Sequence, residues 1–422
     1  MYLNNLELIN FRNYKSVKLN FKNGTILIVG DNGQGKTNLL ESIHYISSGK
    51  SHRTSDQDEL INWDSDYAIL RASLGKSIED TADSSKQLIE IELRKKNNIK
   101  IRIDGVYYRR KSDFASIIPS VIFSPDDLRL IKAGPSNRRD FLDDILEKLQ
   151  NKYASQRLHY QKILNQRNSL LKSMISGEQA NGNSTMEAWD ENLVHYGSEI
   201  IEKRCSLLAS VREKFVNYMN YFFPGIQADI VYIFSWDRGI QGALTGAVLN
   251  NSINPQDSIT SCLPLDLDRP INLDNSINLQ SSTIIQSGTI KDIFNLKLKQ
   301  GFKKDLLLKT TLVGPHRDDL LITVNGKDIR SFGSQGQQRI AAICLKLCEI
   351  HILKEELRTE PILLLDDVLS ELDHERRNKL IEIIKNKFQT FVTTTGISYP
   401  DKLEVDFENR FLVKNNKITY LT

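Results

Sequence analysis

This chain of 422 residues is poor in cysteine, in net charge and in long apolar runs, and each shortage closes off a class of protein. Its four cysteines, Cys205, Cys262, Cys344 and Cys348, form no C-x-x-C pair and join no Cys/His cluster with zinc spacing, so no zinc site is expected. Cys344 and Cys348 stand four apart on an expected helix and share a face, as buried thiols in a reducing compartment do. No run of about 18 apolar residues occurs, so no membrane-spanning helix is expected. The opening Met1-Tyr2-Leu3-Asn4-Asn5 has no basic segment leading into an apolar stretch, so no secretory signal is expected and the expected location is cytoplasmic. A formal net charge of +3 cannot draw nucleic acid to the whole surface, so any such contact must be a local patch. Internal repeats are absent as well.

What is present is a set of continuous β-rich runs: Thr25-Ile26-Leu27-Ile28-Val29, Ile362-Leu363-Leu364-Leu365 and Phe391-Val392-Thr393. Runs without alternation are strands buried on both faces, and helical segments between them predict a parallel α/β sheet. Before the first run, Leu6, Leu8, Val17, Leu19 and Phe21 alternate with polar residues and predict half-buried strands, with a turn at Asn23-Gly24. The sheet draws on both ends of the chain, so something is inserted between them, and the length argues for two lobes. The insert reads as helical. Leu142, Leu146, Leu149, Tyr153, Tyr160, Ile163 and Leu170 keep helical spacing over 139–171. After a polar break at 176–185, a capping box at Ser184-Thr185-Met186-Glu187 opens a second helix that runs to Phe222 and is stopped by Pro224. Two long helices with a polar tip predict an antiparallel hairpin. Residues 240–290, rich in Asn, Ser, Ile and Asp, read as a flexible insertion. The expected division is 1–112 and 310–422 for the first lobe and 113–309 for the second.

Chemistry concentrates in four motifs. Gly30-Asp31-Asn32-Gly33-Gln34-Gly35-Lys36-Thr37 follows a buried run and opens a helix, the setting a Walker A loop requires. Its glycines let the backbone wrap a phosphate, with N–H groups and the helix dipole facing the anion. Lys36 is expected to reach the β- and γ-phosphates of ATP and to serve catalysis, and Thr37 to hold Mg²⁺. Pro361-Ile362-Leu363-Leu364-Leu365-Asp366-Asp367 reads as Walker B, with Asp366 on the Mg²⁺ shell and Asp367 as the catalytic carboxylate that orients the attacking water. Two solvated loop aspartates would be the plainer reading, but a buried strand aims them at the phosphate end of a sheet. Between the two lies Ser331-Phe332-Gly333-Ser334-Gln335-Gly336-Gln337-Gln338-Arg339, ahead of a clean helix at 340–350. A hydroxyl, a glycine and a helix N-terminus again make an anion site, from Ser334, Gly336 and Gln337. Ser370-Glu371-Leu372-Asp373 follows Walker B in the manner of a D-loop.

The order of these motifs resembles that of the ABC ATPases, with the third as their signature. Five further segments, Leu8-Ile9-Asn10-Phe11-Arg12-Asn13-Tyr14, Lys50-Ser51-His52-Arg53-Thr54, Phe123-Ser124-Pro125-Asp126-Asp127-Leu128, Arg138-Arg139-Asp140-Phe141-Leu142-Asp143 and Val313-Gly314-Pro315-His316-Arg317-Asp318-Asp319, resemble the RecF family of ABC/SMC-like heads. The resemblance implies an α/β, ABC-type P-loop ATPase head with an inserted, mainly helical second lobe, using ATP and Mg²⁺. It implies an ATP-dependent homodimer in which Ser334, Gly336 and Gln337 of one copy cap the ATP of the other. It also implies DNA as a partner, single-stranded and at single/double-strand junctions, together with RecO and RecR, in recombinase loading, replication restart and SOS induction. Two departures imply slow hydrolysis. Asp367 stands where a longer Glu is usual, and Thr393-Thr394-Thr395 replaces the switch histidine, with Thr395 able to hydrogen-bond a γ-phosphate. No Q-loop glutamine stands out. Four basic clusters, Lys50/His52/Arg53, Arg94-Lys95-Lys96, Arg109-Arg110-Lys111 and Arg138-Arg139, are candidates for phosphate contacts, although each also suits an ordinary solvated face. The alternatives are a nucleotide-dependent scaffold with negligible hydrolysis or another ABC-type DNA-repair ATPase. A transporter subunit is disfavoured by the N-terminal markers and the missing histidine, and a head with coiled-coil arms by the shortness of the hairpin.

Overall fold

A computed structural model describes residues 2–75, 87–96, 98–108, 118–176, 182–237, 287–385, 387–395 and 407–421. The expected insertion at 240–290, apart from its last four residues, lies outside them, as do the cluster Arg109-Arg110-Lys111 and Cys262. The chain forms two compact units, Met1–Leu128 with Arg339–Thr422, and Arg129–Gln338.

The first unit holds two sheets. Its strands in chain order are β1 (Tyr2–Phe11), β2 (Tyr14–Asn20), β3 (Thr25–Val29), β4 (Tyr67–Gly75), β5 (Gln87–Arg94), β6 (Asn98–Ile103), β7 (Val106–Tyr108) and β8 (Ser120–Phe123). Six of them pair antiparallel in the order β2-β1-β4-β5-β6-β7. Period-2 alternation sets that register: Leu6, Leu8, Leu70, Ile89 and Ile91 point inward, while Glu7, Arg71, Glu90 and Arg102 form a charged ladder on the other face. The second sheet takes β3 and β8 and, after the second unit, four further strands.

The second unit is mainly helical. It contains α-helices Pro135–Leu149, Asn151–Ser176, Gly182–Phe222 and Ser287–Leu308, and a small antiparallel sheet of β9 (Ala228–Ile233), β10 (Asp319–Val324) and β11 (Lys327–Asp328). The single helix expected over 139–171 is broken at Gln150, whose backbone is extended (φ −134°, ψ 102°). Apolar spacing crosses the break unchanged because Leu142, Leu146, Tyr153 and Tyr160 are buried on both sides of it, so periodicity alone hides the interruption. The second helix of the hairpin ends at Phe222, two residues ahead of Pro224.

Returning to the first unit, the chain supplies β12 (Ile362–Leu365), β13 (Thr390–Thr394), β14 (Asn409–Lys414) and β15 (Lys417–Leu421). The sheet order is β15-β14-β3-β13-β12-β8, parallel except for β15. The three continuous apolar runs of the sequence are thus its adjacent central strands. Ile26, Ile28, Leu364 and Phe391 share one core with Leu6, Leu8, Leu70 and Ile91 of the antiparallel sheet and with Ile43 of α1 (Lys36–Ser48). The unit boundaries fall at 128/129 and 338/339, not at 112/113 and 309/310. Ladder pairing explains both shifts. β8 pairs with β12, which takes 118–128 into the first unit, and β10 pairs with β9, which takes 319–338 into the second. The signature segment therefore falls in the second unit up to Gln338, and its last residue, Arg339, in the first.

Candidate functional site

Strand pairing brings the carboxyl ends of four parallel strands into a row: Gly30 after β3, Thr395 after β13, Asp366 after β12 and Ser124 after β8. Ligands bind at such edges because loops can diverge there. From Gly30 the chain turns through Gly33 (φ 78°) and Gly35 (φ 109°) into α1. Gly35 cannot carry a side chain: beyond its left-handed backbone, a Cβ would lie 2.6 Å from Asn13 Nδ2 and 2.9 Å from the Tyr14 hydroxyl. Asp31, Asn32 and Gly33 are exposed, Gln34 half-buried and Lys36 buried. Lys36 Nζ donates to the carbonyls of Gly30 (2.7 Å) and Asp31 (3.1 Å), so the loop's own backbone holds the ammonium.

Thr37 Oγ1 donates to Asp366 Oδ1 at 3.1 Å, joining Walker A to Walker B across 329 residues of sequence. Thr393 Oγ1 donates to the same oxygen at 2.9 Å. Burial pushes the Asp366 carboxyl above its usual range, while the two hydroxyls pull it back down. Asp367 is left-handed (φ 54°), and its N–H donates to Thr393 Oγ1 at 2.9 Å. Its Oδ1 is buried and has no hydrogen-bond partner among the described residues, and the same is true of Thr394 Oγ1. Two orphaned buried oxygens beside a carboxylate–hydroxyl pair are costly unless a ligand satisfies them, so the donor set fits a hard cation and a phosphate. Of the three threonines, Thr393 supports both aspartates, Thr394 is the orphan and Thr395 is exposed.

The D-loop and signature residues have local partners. Ser370 Oγ donates to Asp367 O at 2.6 Å, and Asp373 caps the helix His374–Ile384 by accepting from the Arg376 N–H. The Glu371 carbonyl accepts from Arg339 Nη1 at 3.1 Å. In the second unit, Ser334 and Gln337 form a reciprocal capping box at the start of the helix Gln335–Leu357: Ser334 N–H donates to Gln337 Oε1 (2.9 Å) and Gln337 N–H to Ser334 Oγ (3.2 Å). Ser334 and Gly336 are both exposed, and a Cβ at Gly336 would come no nearer than 4.0 Å, to Ser334 Oγ. That helix start can present N–H groups to an anion from outside.

The remaining sequence markers fall into two groups. Those of the first unit surround the phosphate loop. Arg12, left-handed at φ 51°, clamps buried Glu41 of α1 with both ends of its guanidinium (2.9 and 2.8 Å). Ser51 Oγ donates to Glu41 at 2.5 Å, and Arg53 lies 3.6 Å away. Burial raises the Glu41 carboxyl, but Arg12, Ser51 and Arg53 together hold it below the usual range. Tyr14 donates to the Gly35 carbonyl (3.0 Å), and Asn38 to Asn13 (2.8 Å). The hairpin turn between β14 and β15 closes on the loop from the other side, with the Asn415 N–H donating to Gln34 Oε1 at 2.6 Å. Sequence reading passed over Glu41 and Asn415; a buried acid inside an apolar helical face was the available signal for the first, and the second had none.

The markers of the second unit bind one another. Arg138 pairs with Asp319 (2.7 and 3.1 Å), Arg204 with Asp143 (2.8 and 2.8 Å), and Tyr232 and the Ser235 N–H both donate to Asp318. Tyr160 donates to His316 Nδ1 at 2.6 Å, and His316 Nε2 faces the Thr311 carbonyl at 3.1 Å, an arrangement that assigns the ring proton to Nε2. Of the expected phosphate contacts, Arg138 is internal, 1% exposed, and half-buried Arg139 donates to the Asp318 carbonyl.

Comparison with known proteins agrees with this geometry. A family model described as the RecF/RecN/SMC N-terminal domain matches residues 2–404. A protein of Lachnoclostridium phytofermentans named DNA replication and repair protein RecF is 36% identical over 398 residues, covering 94% of this chain and 93% of that one. A Bacillus thuringiensis protein of the same name is 34% identical over 397 residues, covering 94% and 92%. Among solved structures, the recombination mediator protein RecF with ATP, in the RecFOR pathway, superposes with a TM-score of 0.79 at 32% identity, covering 100% of this chain and 98% of that one. An Smc head bound to the C-terminal winged-helix domain of ScpA matches at a TM-score of 0.52 and 15% identity, a likeness of fold alone.

Proposed function

The chain belongs to the RecF family of DNA replication and repair proteins, with the ATP-binding ABC/SMC-type head of that family, and on that premise we propose that it is an ATP-gated dimeric clamp on DNA. Buried Asp367 Oδ1 and Thr394 Oγ1, partnerless beside the Thr37–Asp366 contact, carry this reading. The backbone of residues 31–35 wraps the phosphates, and Lys36 turns from the Gly30 and Asp31 carbonyls to the β- and γ-phosphates. Thr37 and Asp366 would hold Mg²⁺, which neutralises charge on the phosphate oxygens. Asp367 orients the attacking water, and Thr394 or the exposed Thr395 donates to the γ-phosphate. Ser334, Gly336 and Gln337 of a second copy complete the site. Their capping box leaves the helix N-terminus facing outward, so closure needs no unwinding of the helix. A short Asp367 and threonines in place of a switch histidine favour slow turnover, suited to a timed clamp.

In this reading ATP closes the pair on single-stranded DNA or a single/double-strand junction. RecO and RecR are the partners for recombinase loading, with replication restart and SOS induction downstream. Sedimentation with ADP, with ATP, and with ATP plus gapped DNA tests it. Monomers in ADP, dimers in ATP and a dimer–DNA complex in the third sample are expected. A monomer under all three conditions refutes the clamp. A dimer with no measurable turnover, with or without DNA, favours a nucleotide-dependent scaffold.

A further inference from the structure

The structure separates the basic clusters that the sequence offered for phosphate contact. Arg138 and Arg139 are spent on Asp319 and on the Asp318 carbonyl. Arg53 donates to Asn38 and lies against buried Glu41, and burial pushes the neighbouring His52 down to about 4, so it is uncharged at neutral pH. Arg94-Lys95-Lys96 differs from both. All three are exposed at the turn between β5 and β6, and with Asp66 and Tyr67 they line a shallow cavity of about 550 Å³.

Three residues ahead of Asp66 in the chain comes the most exposed large aromatic among the described residues, Trp63, 94% exposed. It sits in a tight turn closed by Ser65 N–H to Asn62 O (2.9 Å) and Asp64 N–H to Asn62 Oδ1 (3.2 Å), directly ahead of β4. Three residues later Asp66 accepts from Lys95 through both backbone (3.2 Å) and side chain (2.8 Å), and half-exposed Tyr67 is the cross-strand partner of Arg94. The turn is held rigidly to β1, by Asn62 N–H to Asn10 O (2.8 Å) and Asn62 Nδ2 to Arg12 O (2.7 Å). An indole left in water forgoes the gain of burial that its area would bring. An aromatic face beside cations is what an unpaired base and its backbone need, whereas in a duplex the base faces are already stacked.

Resting on the reading of the chain as DNA-binding, we propose that Trp63, Tyr67 and the cations Arg94, Lys95 and Lys96 form a contact for single-stranded DNA. An unpaired base stacks on the Trp63 indole, and the neighbouring phosphodiesters lie against Lys95 and Lys96. Arg94 is paired with Glu92 and Lys95 with Asp66, but these ion pairs are solvated and yield to a phosphate at little cost. Lys96 makes no ion pair among the described residues. Asp64, Asp66 and Glu92 keep the local charge near balance, so stacking outweighs charge here and the contribution of this patch to salt dependence is shallow.

The test titrates the full chain, with ATP and Mg²⁺, against a labelled oligothymidylate and against a duplex of the same length. Trp63→Ala is expected to weaken single-strand binding about 5- to 150-fold, the range for one stacked base, and to leave duplex binding unchanged. Trp63→Phe should fall between it and the parent, and Lys96→Ala should cost about two- to fivefold. Oligothymidylate should quench the parent's tryptophan fluorescence, and most of that quench should vanish in Trp63→Ala. Since these side chains are exposed, thermal midpoints should match the parent's. A Trp63→Ala protein that binds single strands like the parent, or loses duplex and single strand equally, overturns the proposal alone. A parent that binds no DNA of either kind overturns it together with the reading on which it rests.

Discussion

The phosphate loop of the first unit and the ion-pair network of the second are built from the same material, buried charges and hydroxyls in the chain's most distinctive segments, yet they are finished differently. In the second unit the buried carboxylates of the network have partners: Asp319 has Arg138, Asp143 has Arg204 and Tyr153, and Asp305 has Arg167, and the buried side-chain atoms left without a partner among the described residues there are nitrogen donors, Arg167 Nη2 and Trp236 Nε1. Around the loop, Asp367 Oδ1 and Thr394 Oγ1 have none, and the Lys36 ammonium rests on backbone carbonyls. A network whose carboxylates are paired contributes to one folded arrangement and leaves no carboxylate oxygen for a cation. An open one holds its polar atoms against the penalty for leaving them unpaired, which a ligand can repay. Distinctive residues therefore mark two different things in this chain, fold in one unit and chemistry in the other.

The difference can be broken most forcefully from the closed side. Arg138→Met strands the Asp319 carboxylate in the interior and should destabilise the protein by about 3–5 kcal/mol in chemical denaturation. Arg138→Met with Asp319→Leu, which removes both charges, should recover most of that loss. If the single variant melts like the parent, the network is not closed. The matching change on the open side is Lys36→Arg, which puts a planar fork where a compact ammonium is needed. ATP turnover should fall roughly 100- to 1000-fold with no change in melting, the reverse of the Arg138 pattern. Equal turnover in variant and parent would remove the Walker A assignment.

Acidity separates partners inside the closed network. Burial pushes Asp318 up to about 6 and His316 down to about 4. Between about pH 4 and 6 the folded chain keeps a proton on Asp318 that the unfolded chain has lost, so this group's contribution falls as pH rises. Over about 4 to 6.5 the folded chain lacks a proton on His316 that the unfolded chain carries, so that contribution grows as pH rises. The slopes oppose each other. Asp318→Asn deletes the first, and stability plotted from pH 4 to 6.5 should climb more steeply in the variant than in the parent. Parallel curves would count against the buried carboxylate. The smallest effect belongs to Tyr14→Phe, which removes one hydrogen bond to the Gly35 carbonyl. A loss of ~1 kcal/mol should raise KM for ATP roughly fivefold and leave kcat nearly unchanged. A change in kcat alone would place Tyr14 in the chemical step instead.

Local signals in the sequence were sufficient for the loop. Gly33 and Gly35 are the left-handed positions of a turn between a buried strand and a helix, and both flanks can be read within a few residues. The three apolar runs also announced themselves, because a strand buried on both faces has no polar positions to interrupt it. The sequence could not reveal that β8 is a fourth strand beside Walker B, for four residues are too few to carry a period. Nor could it reveal the break at Gln150, where the buried spacing continues unbroken.

The sequence by itself determined the α/β class, the nucleotide-binding motifs and the family, because each is written in contiguous residues or in their order. Tertiary structure alone decided which charges are buried against partners and which reach solvent. Arg138 and Arg94 both look like surface cations in a string of letters, yet one is sealed against Asp319 and the other lies exposed in an ion pair with Glu92. Whether a charge is spent or free depends on partners up to 181 residues away, and that is a property of packing, which no local pattern encodes.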